Sequence, residues 1–215
     1  DYALGRIFGC LRENDLFKNT WIIFTADHGE MLGDHHMSQK NLFFEGSAHV
    51  PLLIMPPQGR SLPQNISVEA PTYLVDLYPT ILAMAGLSSP VSVSGKNLLE
   101  PVPMDRMFFG NSLNKNFCVM EEKVKLVYSA VGDHVLLFDL NTDPMEQHNL
   151  AEDPAWQERK VKLWKLLLEH TAQYTPEALD KNGQFLTYEA PHFPGDVPGR
   201  WFGFHYHDYS VDTFH

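Results

Sequence analysis

Asp27, His28, Glu30, Asp34, His35, His36 and Lys40 fall in one run, F-T-A-D-H-G-E-M-L-G-D-H-H-M-S-Q-K at residues 24–40. Adjacent carboxylate and imidazole donors at Asp27 and His28 suit a divalent metal. Lys40 adds a cation that can meet an oxyanion. Metal-assisted hydrolysis is the chemistry such a set supports. Taken alone, Asp27-His28 reads equally as a turn residue beside a surface histidine, and His35-His36 as a solvated loop. The balance moves because Glu45 and the string His49-Val50-Pro51-Leu52-Leu53-Ile54 arrive in the same window.

These residues need elements to position them. Thr20 to Thr25 (T-W-I-I-F-T) reads as a buried strand, and ligands of open α/β sheets sit just beyond the carboxyl ends of strands. Residues 1–17 have helical spacing, with Leu4, Ile7, Phe8, Leu11 and Leu16 in one stripe ended by Lys18-Asn19. Asn41 to Gly46 reads as a short helical turn. Val50 to Met55 is a second buried strand, stopped by Pro56-Pro57. A helix is predicted at about 74–85, with Pro79 kinking it or starting its regular part and Gly86 capping it.

Beyond about Met104 the pattern changes. Arg106–Phe109, Phe117–Met120, Lys123–Ser129 and Val135–Asp139 read as short strands of an antiparallel sheet. Asp143-Pro144-Met145-Glu146 reads as a turn. Pro154 to Tyr174 reads as a helix packing Val161, Trp164, Leu167 and Leu168 on the sheet. The last 40 residues mix Pro and Gly with many aromatic rings, which predicts a tail wrapped over the body. A sharper reading sets Trp201, His205 or His207 at the rim of a sugar site. The fold class is α/β, expected as residues 1–104 of an α/β core, 105–175 as a small α+β subdomain and 176–215 as the tail. No internal repeat is present.

With 44% hydrophobic residues among 215, the chain can bury a sizeable core. Its formal charge of −11 offers no basic stripe for nucleic acid, yet a local Lys, His and metal cluster can still attract an anion. No apolar run approaches the roughly 20 residues of a membrane span. Cys10 and Cys118 can pair or stay free. Asn65-Ile66-Ser67 is a glycosylation sequon.

The strings T-A-D-H-G-E-M-L-G-D-H (25–35), K-N-L-F-F-E (40–45), S-A-H-V-P-L-L-I (47–54), L-V-D-L-Y-P-T-I-L-A-M-A-G-L (74–87), S-G-K-N-L-L (94–99) and L-F-D-L-N-T-D-P-M-E-Q-H-N-L-A (137–151) resemble the sulfatase family. That family lies within the alkaline phosphatase superfamily, and the order matches its carboxyl-terminal half almost continuously from Asp1 to about Ala151. The resemblance implies an alkaline-phosphatase-like α/β core followed by a small antiparallel sheet with a packed helix. It implies Asp27 and His28 as metal ligands, with calcium first and manganese or zinc as alternatives. It implies Lys40, thirteen residues after Asp27, as the sulfate-binding and catalytic lysine, and His35 in a catalytic or supporting place. His49 is a candidate for substrate binding or a structural histidine; Glu30 and Glu45 are expected to fix the loop by hydrogen bonds, and Asp76 and Asp139 to be structural. His36 departs from the family's commoner Gly.

Sulfatases carry a formylglycine made within Cys/Ser-x-Pro-x-Arg. Neither Cys10 nor Cys118 has Pro and Arg at those offsets. The expectation is therefore one half of a larger enzyme, inactive alone, with formylglycine and further metal-binding aspartates supplied by an amino-terminal half. The implied reaction is hydrolysis of a sulfate ester, on a sulfated small molecule or carbohydrate, in a periplasmic, secreted or lysosomal-type compartment. Two other readings stand beside it: a phosphonate monoester or phosphodiester hydrolase of the same superfamily, and a non-catalytic binding fragment.

Overall fold

A computed structural model of the chain describes residues 1–37, 39–40, 42–60, 67–90 and 92–189, without the side chain of His36. Asn65 and Ile66 of the sequon and the sugar-site candidates Trp201, His205 and His207 lie outside the described residues. The chain is α/β and forms two compact units: residues 1–27 with 50–104, and residues 28–49 with 105 onwards.

In the first unit, helix α1 spans Tyr2–Glu13, shorter than the stripe predicts. Asn14 stops it. The side-chain amide of Asn14 donates to the Cys10 carbonyl at 2.8 Å, and Asp15 turns left-handed at φ 56°; such local side-chain bonds compete with helix continuation. Leu16–Lys18 then forms a single 3-10 turn. Strand β1, Ile22–Thr25, pairs antiparallel with β2, Leu52–Met55, in a two-stranded sheet with Ile22 opposite Met55 and Thr25 opposite Leu52. Both strands form where expected, but Phe24 and Leu53 remain 40% and 59% exposed. A two-stranded ribbon cannot cover both of its own faces.

Helix α3 proper runs Leu77–Met84, after a 3-10 turn at Leu74–Asp76. Pro79 stands in its first turn, where its missing N–H is harmless. Gly86 adopts φ 73° and the chain closes with Gly86 N–H to Ala83 O and Leu87 N–H to Leu82 O, the Schellman pattern that a glycine permits. The fully buried Asp76 holds this unit together. Its carboxylate accepts the Tyr73 N–H at 2.8 Å and the Lys96 N–H at 2.7 Å.

The second unit is built on a meander of β3 (Phe108–Ser112), β4 (Asn116–Glu121), β5 (Val124–Ser129) and β6 (His134–Asp139), in that spatial order and antiparallel throughout. Glu121 pairs with Val124, so Glu122 and Lys123 alone make the turn; both have positive φ, as a type I′ hairpin requires. Every residue of β5 is buried, because the sheet is covered on both faces. Helix α4, Gln157–Tyr174, lies on one face, where Leu163 and Leu167 meet Phe117, Val119, Leu126, Tyr128 and Leu137. Segment 28–49, with helix α2 at Glu45–Ala48, lies on the other, where Met31, Met37, Leu42 and Phe44 meet Cys118, Val127, Leu136 and Phe138. The period of two along each strand divides these sets.

The buried ridge of α4 differs from the predicted one. Leu163, Leu167 and Thr171 are buried whereas Val161 is 66% exposed. Positions four apart make that ridge, and its polar member Thr171 hid it from an apolar-residue count. After the helix, Phe185 inserts between Phe117 and Tyr128, 4.6 Å from each ring.

His170 on α4 stacks flat on Phe109, centroids 4.0 Å apart. Burial holds its pKa below the ordinary 6.5, and burial outweighs the pull of Asp133 to lower that of His134. The unfolded chain therefore binds protons that the folded chain refuses. Stability is complete above about pH 6.5 and falls as pH drops through the folded values. Urea midpoints measured from pH 7.5 to 5 are expected to decline, and His170→Phe, which keeps the stack, to flatten part of that slope. An unchanged slope refutes the assignment.

Candidate functional site

Strand β1 ends at Thr25, and Ala26, Asp27, His28 and Gly29 follow directly. Asp27 is the last residue of the first unit and His28 the first of the second segment. The His28 ring has both nitrogens engaged. Nδ1 lies 2.8 Å from the Gly29 carbonyl oxygen and Nε2 lies 2.9 Å from Lys40 Nζ. A carbonyl only accepts, so Nδ1 carries the proton and donates; Nε2 keeps its lone pair and accepts from the Lys40 ammonium. An imidazole that spends its Nδ1 proton on a carbonyl has its tautomer and ring orientation fixed, as metal-ligating histidines do.

Asp27 brings a hard carboxylate and His28 an imidazole nitrogen to the end of the strand. Calcium takes about 6–8 ligands, more than one carboxylate and one imidazole supply. Among the described residues no group of three or more His, Cys, Asp and Glu is gathered as a metal cage.

The loop that returns Lys40 to His28 is closed on itself. The Glu30 carboxylate accepts the Gln39 N–H. Met31 N–H donates to Gln39 O at 2.9 Å, and Gly33 N–H to Met37 O at 2.8 Å. His35, at φ 52°, stacks on Phe44 with centroids 4.2 Å apart. Buried Met31, Met37, Leu42 and Phe44 pin the loop to the sheet while Lys40 stays exposed. Gly29 N–H donates to Ser47 O at 2.7 Å, and a Cβ on Gly29 would overlap the Gly46 carbonyl. Only glycine allows that approach beside His28.

Beneath this loop lies a set of buried ions that sequence reasoning missed. Lys125 of β5, with a side chain 3% exposed, donates from Nζ to Phe43 O at 2.8 Å, to Glu146 Oε1 at 2.9 Å and to Glu45 Oε1. Glu146, 2% exposed at its side chain, also accepts the Glu45 N–H on Oε2 at 2.7 Å. Burial pushes the Lys125 pKa down, but Cys118, Glu146 and Glu45 around it outweigh that and hold it above its ordinary value. Burial pushes the neighbouring Cys118 thiol up to about 12. The signal was in the strand itself: V-K-L-V sets a lysine on an alternation that must be buried, and a buried cation needs an anion.

Of the other sequence candidates, Glu45 reaches His49 as well, with its Oε2 2.7 Å from His49 Nδ1; the His49 side chain is 76% exposed. Asp34 is exposed at the start of a 3-10 turn. His36 cannot be assigned a contact, its side chain lying outside the described set. Cys10 and Cys118 are free thiols, the first exposed and the second buried. The structure therefore brings Lys40 to His28 and His49 to Glu45, and sets His35 against an aromatic ring.

The family model "Sulfatase" matches residues 1–87. Arylsulfatase K of Xenopus laevis is 34% identical over 171 residues, 70% of this chain and 31% of its own length. An uncharacterized sulfatase of Escherichia coli (strain K12) is 31% identical over 182 residues, 79% of this chain and 35% of its own. The phosphonate monoester hydrolase of Agrobacterium radiobacter superposes with a TM-score of 0.64 at 32% identity, covering 79% of this chain and 38% of that one. The chain thus spans about a third of the length of the curated relatives it matches. With the Asp-His step after a strand, the returning lysine and these matches together, the chain belongs to the sulfatase family.

Proposed function

We propose that this chain supplies one metal-ligand pair and the anion-binding lysine of a sulfuric ester hydrolase. The formylglycine nucleophile and the remaining metal ligands come, in this reading, from an amino-terminal half outside the chain. The observation that carries the reading is the 2.9 Å approach of Lys40 Nζ to His28 Nε2, which sets a cation against the imidazole directly after the strand.

Asp27 and His28 would hold the metal, with calcium first and manganese or zinc as alternatives. When bound, it supplies Lewis-acid polarisation of the substrate oxyanion. The His28 lone pair serves one partner at a time, so with a metal held by His28 the Lys40 ammonium would be left to meet an anion. Its ammonium then donates to a sulfate oxygen or to the bridging oxygen, where charge grows as the S–O bond breaks. Glu45 holds His49 by Nδ1, which leaves Nε2 outward to bind a sulfate oxygen or a sugar hydroxyl. His35 acts on this reading by bracing the loop against Phe44. The substrate class is a sulfated small molecule or carbohydrate, consistent with relatives named as sulfatases. Among the described residues no helix is long and apolar enough to cross a membrane.

A second reading, hydrolysis of a phosphonate monoester, is favoured by the 32% identity to a phosphonate monoester hydrolase. Comparing kcat/KM of the complete protein for 4-nitrophenyl sulfate and 4-nitrophenyl phenylphosphonate separates the two. A preference for the sulfate ester is expected, and a reversed preference selects the second reading. No turnover of either by metal-loaded protein, with formylglycine verified by peptide mass, leaves a binding role.

A further inference from the structure

The segment between Lys40 and His49 is held from both ends of its function. At its start Lys40 meets His28; near its end the Ser47 carbonyl takes the N–H of Gly29, next to the same histidine. Between those points two backbone groups, the Phe43 carbonyl and the Glu45 N–H, are bonded by side chains far away in sequence, Lys125 and Glu146. All three Lys125 donors are used, on Phe43 O, Glu45 and Glu146. Apolar residues could fill this face as Val127 does, at similar or better stability. Packing, however, leaves register loose, whereas directional bonds to one C=O and one N–H fix the backbone between them.

We propose that Lys125 and Glu146 are positioning residues, a buried clamp in the small sheet that sets residues 43–47 and through them the Lys40–His28 pair. The proposal rests on the sulfatase reading for the reaction the clamp serves. The geometry explains why a lysine occupies a fully buried strand and why the turn after β6 sends a carboxylate inward. It also assigns Glu45 as the joint: one oxygen on Lys125, the other on His49. A shift of about 1 Å in the segment would be enough to lower turnover about 100-fold.

The test is made in the complete protein with Lys125→Met, Glu146→Ala and Glu146→Gln. Steady-state kinetics on 4-nitrophenyl sulfate are read beside amide hydrogen exchange of peptides spanning 39–49 and β3–β6. For Lys125→Met and Glu146→Ala, kcat is expected to fall about 100-fold with KM little changed, since an interaction strongest in the transition state lowers kcat and kcat/KM together. Exchange at 43–47 is expected to quicken by more than that of the sheet core, which rises only with the loss of global stability. Glu146→Gln keeps one acceptor oxygen and is expected to fall between wild type and Glu146→Ala both in kcat and in exchange at 43–47. Should Lys125→Met not fold, the Glu146 pair decides. A folded Glu146→Ala protein with wild-type kcat, or with unchanged exchange at 43–47, overturns the clamp. If the wild type turns over no sulfate ester, the enzymatic reading fails separately, and the exchange measurement alone decides the positioning.

Discussion

Replacing Lys40 by methionine in the complete enzyme is expected to lower kcat for a sulfate ester about 100- to 1,000-fold, the usual effect of removing one donor aimed at developing charge. The side chain is exposed, so its loss should leave the thermal midpoint nearly unchanged, as surface substitutions do within about 0.5 kcal/mol. The His28 ring keeps its Nδ1 bond to Gly29 O without Lys40, and the imidazole stays oriented. Lys40→Arg is expected to recover little. A planar fork that prefers two parallel bonds does not replace a point cation that meets one imidazole nitrogen at 2.9 Å. Stopped assays at saturating and limiting substrate separate the outcomes: equal falls in kcat and kcat/KM place the contact in the transition state, and a rise in KM alone makes Lys40 only a binding residue. Unaltered kinetics remove it from the site.

Lys125→Met is expected to have the largest effect on stability. Removing one member of a buried ionic group costs about 3–5 kcal/mol, because the remaining charges are left without a counter-ion. Here two carboxylates, Glu45 and Glu146, would face each other with their shared cation gone. Burial already raises the Glu146 pKa above its ordinary 4.5, in spite of Lys125; loss of the cation raises it further. A carboxyl whose folded pKa exceeds its unfolded one adds stability below the unfolded value and loses it as pH rises through the folded value. The deficit of Lys125→Met relative to wild type should therefore be greatest near pH 7–8 and shrink towards pH 5. Denaturant titrations across that range check the sign. A double replacement, Lys125→Met with Glu146→Leu, removes charge from both sides and is expected to recover much of the stability without restoring the bonds to Phe43 O and Glu45 N–H.

Local features of the fold were legible in the sequence. The first helix, the strands at 22–25 and 52–55, the glycine at 86 and four short strands after Met104 each carry their signal within a few residues, though the helix ends at Glu13 and not at the expected Lys18-Asn19. The ridge of α4 was half legible: Leu167 was expected and found, but Val161 lies in solvent and Thr171 lies inside. A hydrophobic count cannot tell a threonine under a sheet from one in water. At the site, Asp27, His28 and Lys40 were singled out by type and spacing. Their arrangement was not legible, because the contact of Lys40 with His28 depends on how the intervening loop folds back through Gln39 and Met31. The ionic set was least legible of all. Lys125 and Glu45 are 80 positions apart, and nothing in V-K-L-V names the partner. Glu146 read as part of a turn, and the turn is real; its direction, inward at φ 55° with the carboxylate buried, is a tertiary fact.

The contrast between the two cysteines has a practical consequence. Cys118 is completely buried on the sheet face that Met31, Met37, Leu42 and Phe44 cover, and its thiol is raised to about 12, whereas Cys10 is exposed. An alkylating reagent at neutral pH should mark Cys10 at once and Cys118 only in the moments when segment 28–49 lifts from the sheet. The molecule thus carries a native pair of chemical clocks, one running freely and one started by opening of the loop that bears Lys40. The ratio of their rates measures that opening without adding a probe.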